Sequence, residues 1–349
     1  MNGIRFATAA GHSGVNVICV TVTYGNRKEL LCTVIDVLPA QGVDKVVVVD
    51  NGANWLVRLQ LTEAYGDFVD VVEMGRNTGS AQGFASGILR AKQIGAEFIW
   101  LLDDDNFPVR FTLATLLSEH ERALTRYRQN ILAVSGYRSG LYLHLVKETC
   151  RRDNIKARNY FLGFHLQSAL KKRLVKILSD RRQRRTSEVA SHISHIELTS
   201  AAYGGLLFHE RLIDYIGLPR ADFILYEDDT EWTGRIIKCG GTIVLITNAI
   251  IEDLAKSWVT DIGEGSGFYA WIRGKEEFKV YYSIRNKVYI SKENGSIKSP
   301  VFLLNAIIYI ILIALVCVFL CEFKRLKLIM DSILDGFFGR LGAKPYIDM

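Results

Sequence analysis

Apolar runs of five to eight residues alternate with stretches whose apolar side chains recur at helical spacing, and this alternation constrains the fold more than any other feature. Val15–Val22, Lys45–Val49, Phe68–Met74 and Glu97–Leu102 have the β-rich composition of strands. Between them lie Lys28–Leu38, with Leu30, Leu31, Val34, Ile35 and Leu38 on one face, then Trp55–Tyr65, then a segment reaching Ile94. Pro39 and Gly42 are expected to close the first helix and Gly95 the third. Strand and helix in strict alternation predict a mostly parallel sheet with helices on its faces. Strands that are apolar throughout are buried on both sides.

Two of these strands run straight into acids. Lys45–Val49 ends in Asp50-Asn51-Gly52, and Trp100-Leu101-Leu102 ends in Asp103-Asp104-Asp105-Asn106. The carboxyl edge of an open α/β sheet is where ligands bind. Three adjacent carboxylates repel one another, and a hard divalent cation carrying a diphosphate would relieve that repulsion. The plain alternative is a solvated acidic turn. The small residues of Asn77-Thr78-Gly79-Ser80-Ala81-Gln82-Gly83 precede a helix and leave backbone N–H groups open to a phosphate or sugar, although a capped loop has the same composition.

Farther on, Pro108 is expected to turn the chain into a helix around Phe111–Leu124, and Ile131–Val134 is another strand. Glu197–Phe208 is core-like, and its Gly204-Gly205 pair predicts a close backbone approach. A second acid cluster, Glu227-Asp228-Asp229-Thr230-Glu231-Trp232, opens a helix carrying Arg235, and Thr242–Ile246 follows as a strand. Acids in a first helical turn are favoured by the helix dipole alone, so this cluster by itself is weak.

The net charge of +6 is concentrated in one place. Lys147 to Arg185 holds thirteen Lys or Arg against three acids, with Leu162, Leu166, Leu170, Leu174 and Leu178 every fourth residue. That pattern describes a basic amphipathic helix, either a solvated one packing its leucines on the domain or one lying on an anionic membrane; the second is favoured. Val301–Cys321 carries no charge and has Asn305 as its one strongly polar residue, long enough to span a bilayer or to be a buried helix. Lys298 precedes it and Lys324, Arg325 and Lys327 follow, so flanking charge does not orient it. The six cysteines show no metal-type spacing and are expected to be reduced thiols. No secretory signal is expected at the N-terminus, and no nucleic-acid partner is expected.

Taken in order, these motifs resemble glycosyltransferase family 2, the inverting enzymes of the GT-A fold. The resemblance rests on Val22-Thr23-Tyr24 with Arg27, Val49-Asp50-Asn51-Gly52, Asn77-Thr78-Gly79 through Phe84, the Asp103–Asp105 triplet, Gly204-Gly205 and Asp228–Trp232. Tyr282 with Arg285-Asn286, and the tail Asp335–Gly342, extend it. The triplet and the Asp-Asp-x-Glu-aromatic pattern are most similar to bacterial galactofuranosyltransferases and rhamnosyltransferases of polysaccharide assembly.

The resemblance implies a Rossmann-like GT-A domain over residues 1–290, with the basic insertion at about 147–190, and a membrane-associating helical segment over 291–349. It implies that Asp50 contacts the nucleotide base and that Asn77, Gly79, Gly83, Asp103 and Asp104 line the donor site. Asp103 and Asp105 would ligate Mn²⁺ or Mg²⁺, and Asp229 or its neighbour Asp228 would be the general base. Gly204, Gly205, Trp232 and Arg285 are expected near the acceptor. Relatives often offer a metal-binding His after the strand that follows the base motif; here that place reads Ile250-Ile251-Glu252-Asp253, leaving a carboxylate or water to replace it. His192 and His195 come too early in the chain and are expected in a loop.

The implied partners are a UDP- or dTDP-linked sugar, a lipid-linked glycan and an anionic membrane surface. The implied place is the cytoplasmic face of the bacterial inner membrane, with the apolar helix in the interface or re-entrant, because the tail motif belongs with the enzyme.

Overall fold

The computed structural model describes residues 14–143, 145, 159–170, 194–255, 267–274 and 276–344. The chain divides into two compact units, one made of 1–144, 193–221 and 229–255, the other of 145–192, 222–228 and 256–349. The division therefore falls well before residue 290, and part of the segment carrying the second acid cluster belongs to the second unit.

The first unit is built on a nine-stranded sheet. Its elements are β1 (Val17–Gly25), α1 (Lys28–Gln41), β2 (Lys45–Ala53), α2 (Val57–Tyr65), β3 (Val69–Glu73), α3 (Ser80–Gln93), β4 (Phe98–Leu101), β5 (Asn106–Pro108), α4 (Thr112–Tyr127) and β6 (Leu132–Arg138). They continue with β7 (His195–Leu198), β8 (Leu206–His209), α5 (Leu212–Ile216), α6 (Asp228–Lys238) and β9 (Thr242–Asp253). The sheet order is β3-β2-β1-β4-β8-β6-β9-β5, with β7 also on β9. The first four strands pair in parallel. β8 lies antiparallel between β4 and β6, and β6 pairs with β9 in parallel.

Val46 to Val49 are fully buried, as a strand covered on both faces requires. α1 presents Leu31, Val34, Ile35 and Leu38 to one side of the sheet. α3 lies against β1 and β2 through Gly83, Gly87 and Ile88. Two prolines behave differently from the sequence expectation. Pro39 lies inside α1, which runs on to Gln41 and is capped at Gly42; only two helical residues follow it, so a kink there displaces little chain. Pro108 closes β5, the strand at the sheet edge, where a missing N–H is tolerated.

The second unit contains α7 (Gly267–Arg273), α8 (Glu277–Glu293), α9 (Pro300–Phe319) and α10 (Phe323–Phe338). Phe302, Ala306, Tyr309, Ile313 and Cys317 form the buried stripe of α9, joined by Ile284, Val288, Ile329 and Ile333. Asn305 shares that stripe. Its carboxamide accepts from Leu166 N at 3.0 Å and donates to Asn159 O at 3.0 Å, which explains a polar residue in so apolar a helix. The opposite face, including Leu304, Ile307, Ile311, Leu315 and Phe319, is exposed.

The expected leucine-striped helix does not begin at Leu162. That residue has φ of +48° in the turn between Phe161 and Phe164, and helix starts at Leu166. Leu174 and Leu178, like His192, lie outside the described residues.

Candidate active site

The carboxyl ends of β1 and β4 lie side by side, so Thr23 and Arg27 face the acid triplet. Thr23 Oγ1 donates to Asp104 Oδ2 at 2.9 Å, and Arg27 Nε donates to both Asp104 oxygens at 2.8 and 2.9 Å. The central acid is thereby turned inward and only 3% exposed. Burial pushes its carboxyl up to about 7, against the pull of Arg27 and Thr23. Arg27 also reaches Asp105 Oδ2 at 2.8 Å.

Asp103 and Asp105 flank this inward acid and meet a third carboxylate. Asn106, fully buried, accepts from Asp103 N at 3.1 Å and donates to Asp105 Oδ1 at 3.3 Å and to Asp253 Oδ1 at 3.0 Å. Arg138, at the end of β6, donates to Asp253 at 2.8 Å and to Asp103 at 3.2 Å. Burial raises the pKa of Asp103; Arg138 opposes this, while Asp105 and Asp253 reinforce it. Pleating sends Glu252 and Asp253 to opposite faces of β9, and Asp253 is the one that joins the cluster.

Gly204 closes the floor of this cluster. A Cβ there would lie 2.0 Å from Asn106 Oδ1, 2.5 Å from Arg138 Nη1 and 2.6 Å from Asp103 Oδ2. Gly205 N donates to Leu101 O at 2.8 Å, which ties this turn to the end of β4.

The donor set of Asp103, Asp105 and Asp253 is hard oxygen, the chemistry that suits Mn²⁺ or Mg²⁺. Among the described residues no three His, Cys, Asp or Glu side chains already stand close enough to form a finished metal site. Arg27, Arg138 and Asn106 hold the carboxylates instead. The three carboxylates match the ion in donor chemistry, and in this structure Arg27 and Arg138 neutralise them in its place.

The expected donor-binding residues beside β2 have mixed placements. Asp50 accepts from Ala53 N at 2.8 Å, within its own turn. Asn51 organises the loop, accepting from Thr78 N at 2.9 Å and donating to Gly79 O at 3.1 Å and to Asn77 Oδ1 at 3.2 Å. Gly83 serves packing, since a Cβ there would meet Val22 Cγ1 at 2.8 Å.

The second acid cluster begins α6. Asp228 is buried, and Asp229 Oδ1 accepts from Thr230 N at 2.6 Å. Thr233 Oγ1 bonds to Asp229 O at 2.7 Å and Ala201 O at 3.0 Å, which fastens the first turn of α6 to the loop leading to Gly204-Gly205. Trp232 is a core residue, its indole donating to Gly217 O at 2.8 Å and its rings packed on Phe208 and Tyr203. Arg285 belongs to the second unit and is fully buried there. His195 begins β7 instead of lying in a loop, and its Nε2 is 2.7 Å from Glu119 Oε2. Arg138 carries no local sequence signal, because its place depends on the pairing of β6 with β9.

A curled sheet with parallel strands meeting an antiparallel β8, and acids at the carboxyl edge, defines the GT-A class of glycosyltransferase folds. The solved structure titled GalNAc-T7 with UDP, GalNAc and Mn²⁺ superposes with a TM-score of 0.50 over 80% of this chain and 48% of that one, at 13% identity.

In sequence the chain is 30% identical over 231 residues to galactofuranosyltransferase GlfT1 of Mycolicibacterium smegmatis (strain ATCC 700084 / mc(2)155), an alignment covering 64% of this chain and 66% of the relative. GlfT1 of Mycobacterium tuberculosis (strain ATCC 25618 / H37Rv) is 29% identical over the same extent. The chain thus spans just under two thirds of the length of the curated relatives it matches. No protein-family model matches it. The chain thus has the GT-A glycosyltransferase fold and is similar in sequence to these galactofuranosyltransferases.

Proposed function

We propose that this protein is a metal-dependent inverting glycosyltransferase that moves galactofuranose from a nucleotide-sugar donor to a hydroxyl of a lipid-linked glycan in cell-surface polysaccharide synthesis. The observation that carries this reading is the meeting of Asp103, Asp105 and Asp253 around Asn106, in a chain 30% identical to a galactofuranosyltransferase. Asp103, Asp105 and Asp253 would hold Mn²⁺ or Mg²⁺, which as a Lewis acid would neutralise charge on a departing diphosphate.

The chain's own groups divide the remaining work. Asp50 and the loop organised by Asn51 bind the nucleoside. Arg27 and Asp104 fix the orientation of Asp105. Asp229 accepts the proton of the acceptor hydroxyl as it attacks, a role its half-exposed carboxylate suits better than buried Asp228. Displacement from the face opposite the leaving group inverts the anomeric centre.

The acceptor and location form a second part of the proposal. α9 has one face packed within its unit and the other exposed and apolar, with Phe323, Phe337 and Phe338 also exposed on α10. A helix committed to protein along one side suits in-plane attachment better than a crossing. Lys324 and Lys327 add attraction to anionic lipid. These features support attachment to a membrane surface, which the proposal places at the cytoplasmic face of the inner membrane.

The test is an assay of the purified protein with UDP-galactofuranose, dTDP-rhamnose and other sugar nucleotides, with Mn²⁺ or Mg²⁺ and lipid-linked acceptors. Transfer from dTDP-rhamnose would make it a rhamnosyltransferase. Transfer from none would leave a non-enzymatic membrane-surface adaptor. Recovery of the full-length protein from the soluble fraction without detergent would remove the membrane claim.

A further inference from the structure

Three consecutive residues of α8 grip one short stretch of chain. Arg285 Nη2 donates to Asp222 O at 3.2 Å and to Phe223 O at 2.9 Å, and its Nη1 donates to Gly342 O at 2.5 Å. Asn286 Nδ2 points at three carbonyls, Phe223 O at 3.0 Å, Leu225 O at 2.9 Å and Tyr226 O at 2.8 Å. Lys287 pairs with Glu227 at 2.9 Å. Arg285 and Asn286 are both fully buried, and burial lowers the pKa of the arginine.

The stretch they hold is strained. Ile224, Tyr226 and Glu227 have φ of +67°, +63° and +60°. None is glycine, and for a β-branched residue such as Ile224 this conformation is a true outlier. Such backbone persists only where its surroundings over-determine it, and it concentrates at functional sites. The carbonyl bonds from Arg285 and Asn286 are that surrounding.

The C-terminal tail completes the grip. Gly342 N donates to Asp222 O at 2.7 Å, so Gly342 is bonded both to the stretch and to Arg285. The tail is itself pinned to α8, because Asp335 accepts from the Tyr281 hydroxyl at 2.6 Å and pairs with Lys344, whose N–H reaches the Tyr282 hydroxyl at 3.1 Å. The two sequence motifs that the transfer chemistry leaves without a role, Tyr282 with Arg285-Asn286 and Asp335–Gly342, are the parts of this grip.

We propose that Arg285, Asn286, Lys287 and Gly342 form a positioning clamp that holds residues 222–227 in a left-handed path and so fixes the chain where it enters α6 at Asp228 and Asp229. The clamp touches no substrate; it acts through the backbone that delivers the base. This inference rests on the role of Asp229 proposed above. A displacement of about 1 Å at a reacting group can cost on the order of 100-fold in rate.

The experiment uses the full-length protein and three variants, Asn286→Ala, Ile224→Gly and the two combined. Amide hydrogen exchange across 222–231 is measured beside kcat and donor KM. Asn286→Ala should speed exchange in that segment at least about tenfold and lower kcat by about 10–100-fold, with donor KM within about twofold of the parent. Adding Ile224→Gly should recover part of the lost kcat, because glycine takes the left-handed conformation without the clamp.

If Asn286→Ala does not accumulate as folded protein, a chain ending at Leu341 gives the same readouts. Unchanged exchange, or faster exchange with parental kcat, overturns the clamp; so does a double variant no faster than Asn286→Ala. A parent protein that transfers no sugar defeats the reading of Asp229, whereas the exchange result still judges the grip itself.

Discussion

Asn106 and Asp253, 147 residues apart in sequence, are joined by a 3.0 Å hydrogen bond from the asparagine amide to the carboxylate. Register pairing of β5 with β9 sets them opposite each other. Asp253 thereby stands with Asp103 and Asp105, held by Asn106 and Arg138. We predict that excess chelator abolishes transfer and that Mn²⁺ or Mg²⁺ restores it. Calorimetry in the presence of UDP should show Mn²⁺ affinity falling about 10–100-fold in Asp253→Ala and staying at the parental value in Glu252→Ala. The reverse order would give the role to Glu252.

Asp229 is the expected proton acceptor. Asp229→Asn keeps the shape and the bond from Thr230 N but cannot take a proton. We predict a loss of about 10²–10⁴-fold in kcat with donor affinity retained, measured by initial rates and by UDP titration. Parental turnover in this variant, with a loss in Asp228→Asn, would exchange the two roles.

Gly204 has no room for a side chain. Gly204→Ala would press a methyl on Asn106, Arg138 and Asp103 at once. A destabilisation of about 1–3 kcal/mol is expected from overpacking, with transfer lost because the carboxylates are pushed apart. Thermal unfolding and rate measurements on the same sample check this; a variant as stable and active as the parent would show that the close approach is not needed.

His120 is buried on α4 against Phe98 and faces His209, and its pKa is lowered to about 4, first by burial and then by His209. The unfolded chain binds this proton near pH 6.5. Between about pH 6.5 and 4 the unfolded state therefore holds more protons, and stability is lost as pH falls through that window. The full effect is of the order of a few kcal/mol, and above pH 7 it is absent. Midpoints of thermal unfolding from pH 4 to 8 should flatten on the acid side in His120→Gln. An unchanged acid slope would place the proton elsewhere.

The sequence order of strands and helices was legible because apolar periodicity is local, and the acids at strand ends were legible because they interrupt it. Pro39 and Pro108 were read as boundaries, yet one sits within α1 and the other in an edge strand, since tertiary context decides whether a missing N–H matters. The leucines at Leu162 and Leu166 share a four-residue spacing with those beyond, but Leu162 occupies a turn, which spacing cannot reveal. Arg138, Asn51 and Asn286 act through partners dozens of residues away, and nothing adjacent to them in the chain announces it.

The choice of sugar donor identifies the enzyme most sharply. Purified full-length protein is incubated with Mn²⁺, membrane-extracted lipid-linked glycan and, in separate reactions, UDP-galactofuranose, UDP-galactopyranose and dTDP-rhamnose, and the lipid product is weighed by mass spectrometry. One added hexose is expected from UDP-galactofuranose, at a kcat/KM at least about 100-fold above the other two, lost with chelator and in Asp105→Ala. Transfer that survives chelator, or that occurs from dTDP-rhamnose and not from UDP-galactofuranose, would contradict the proposed function.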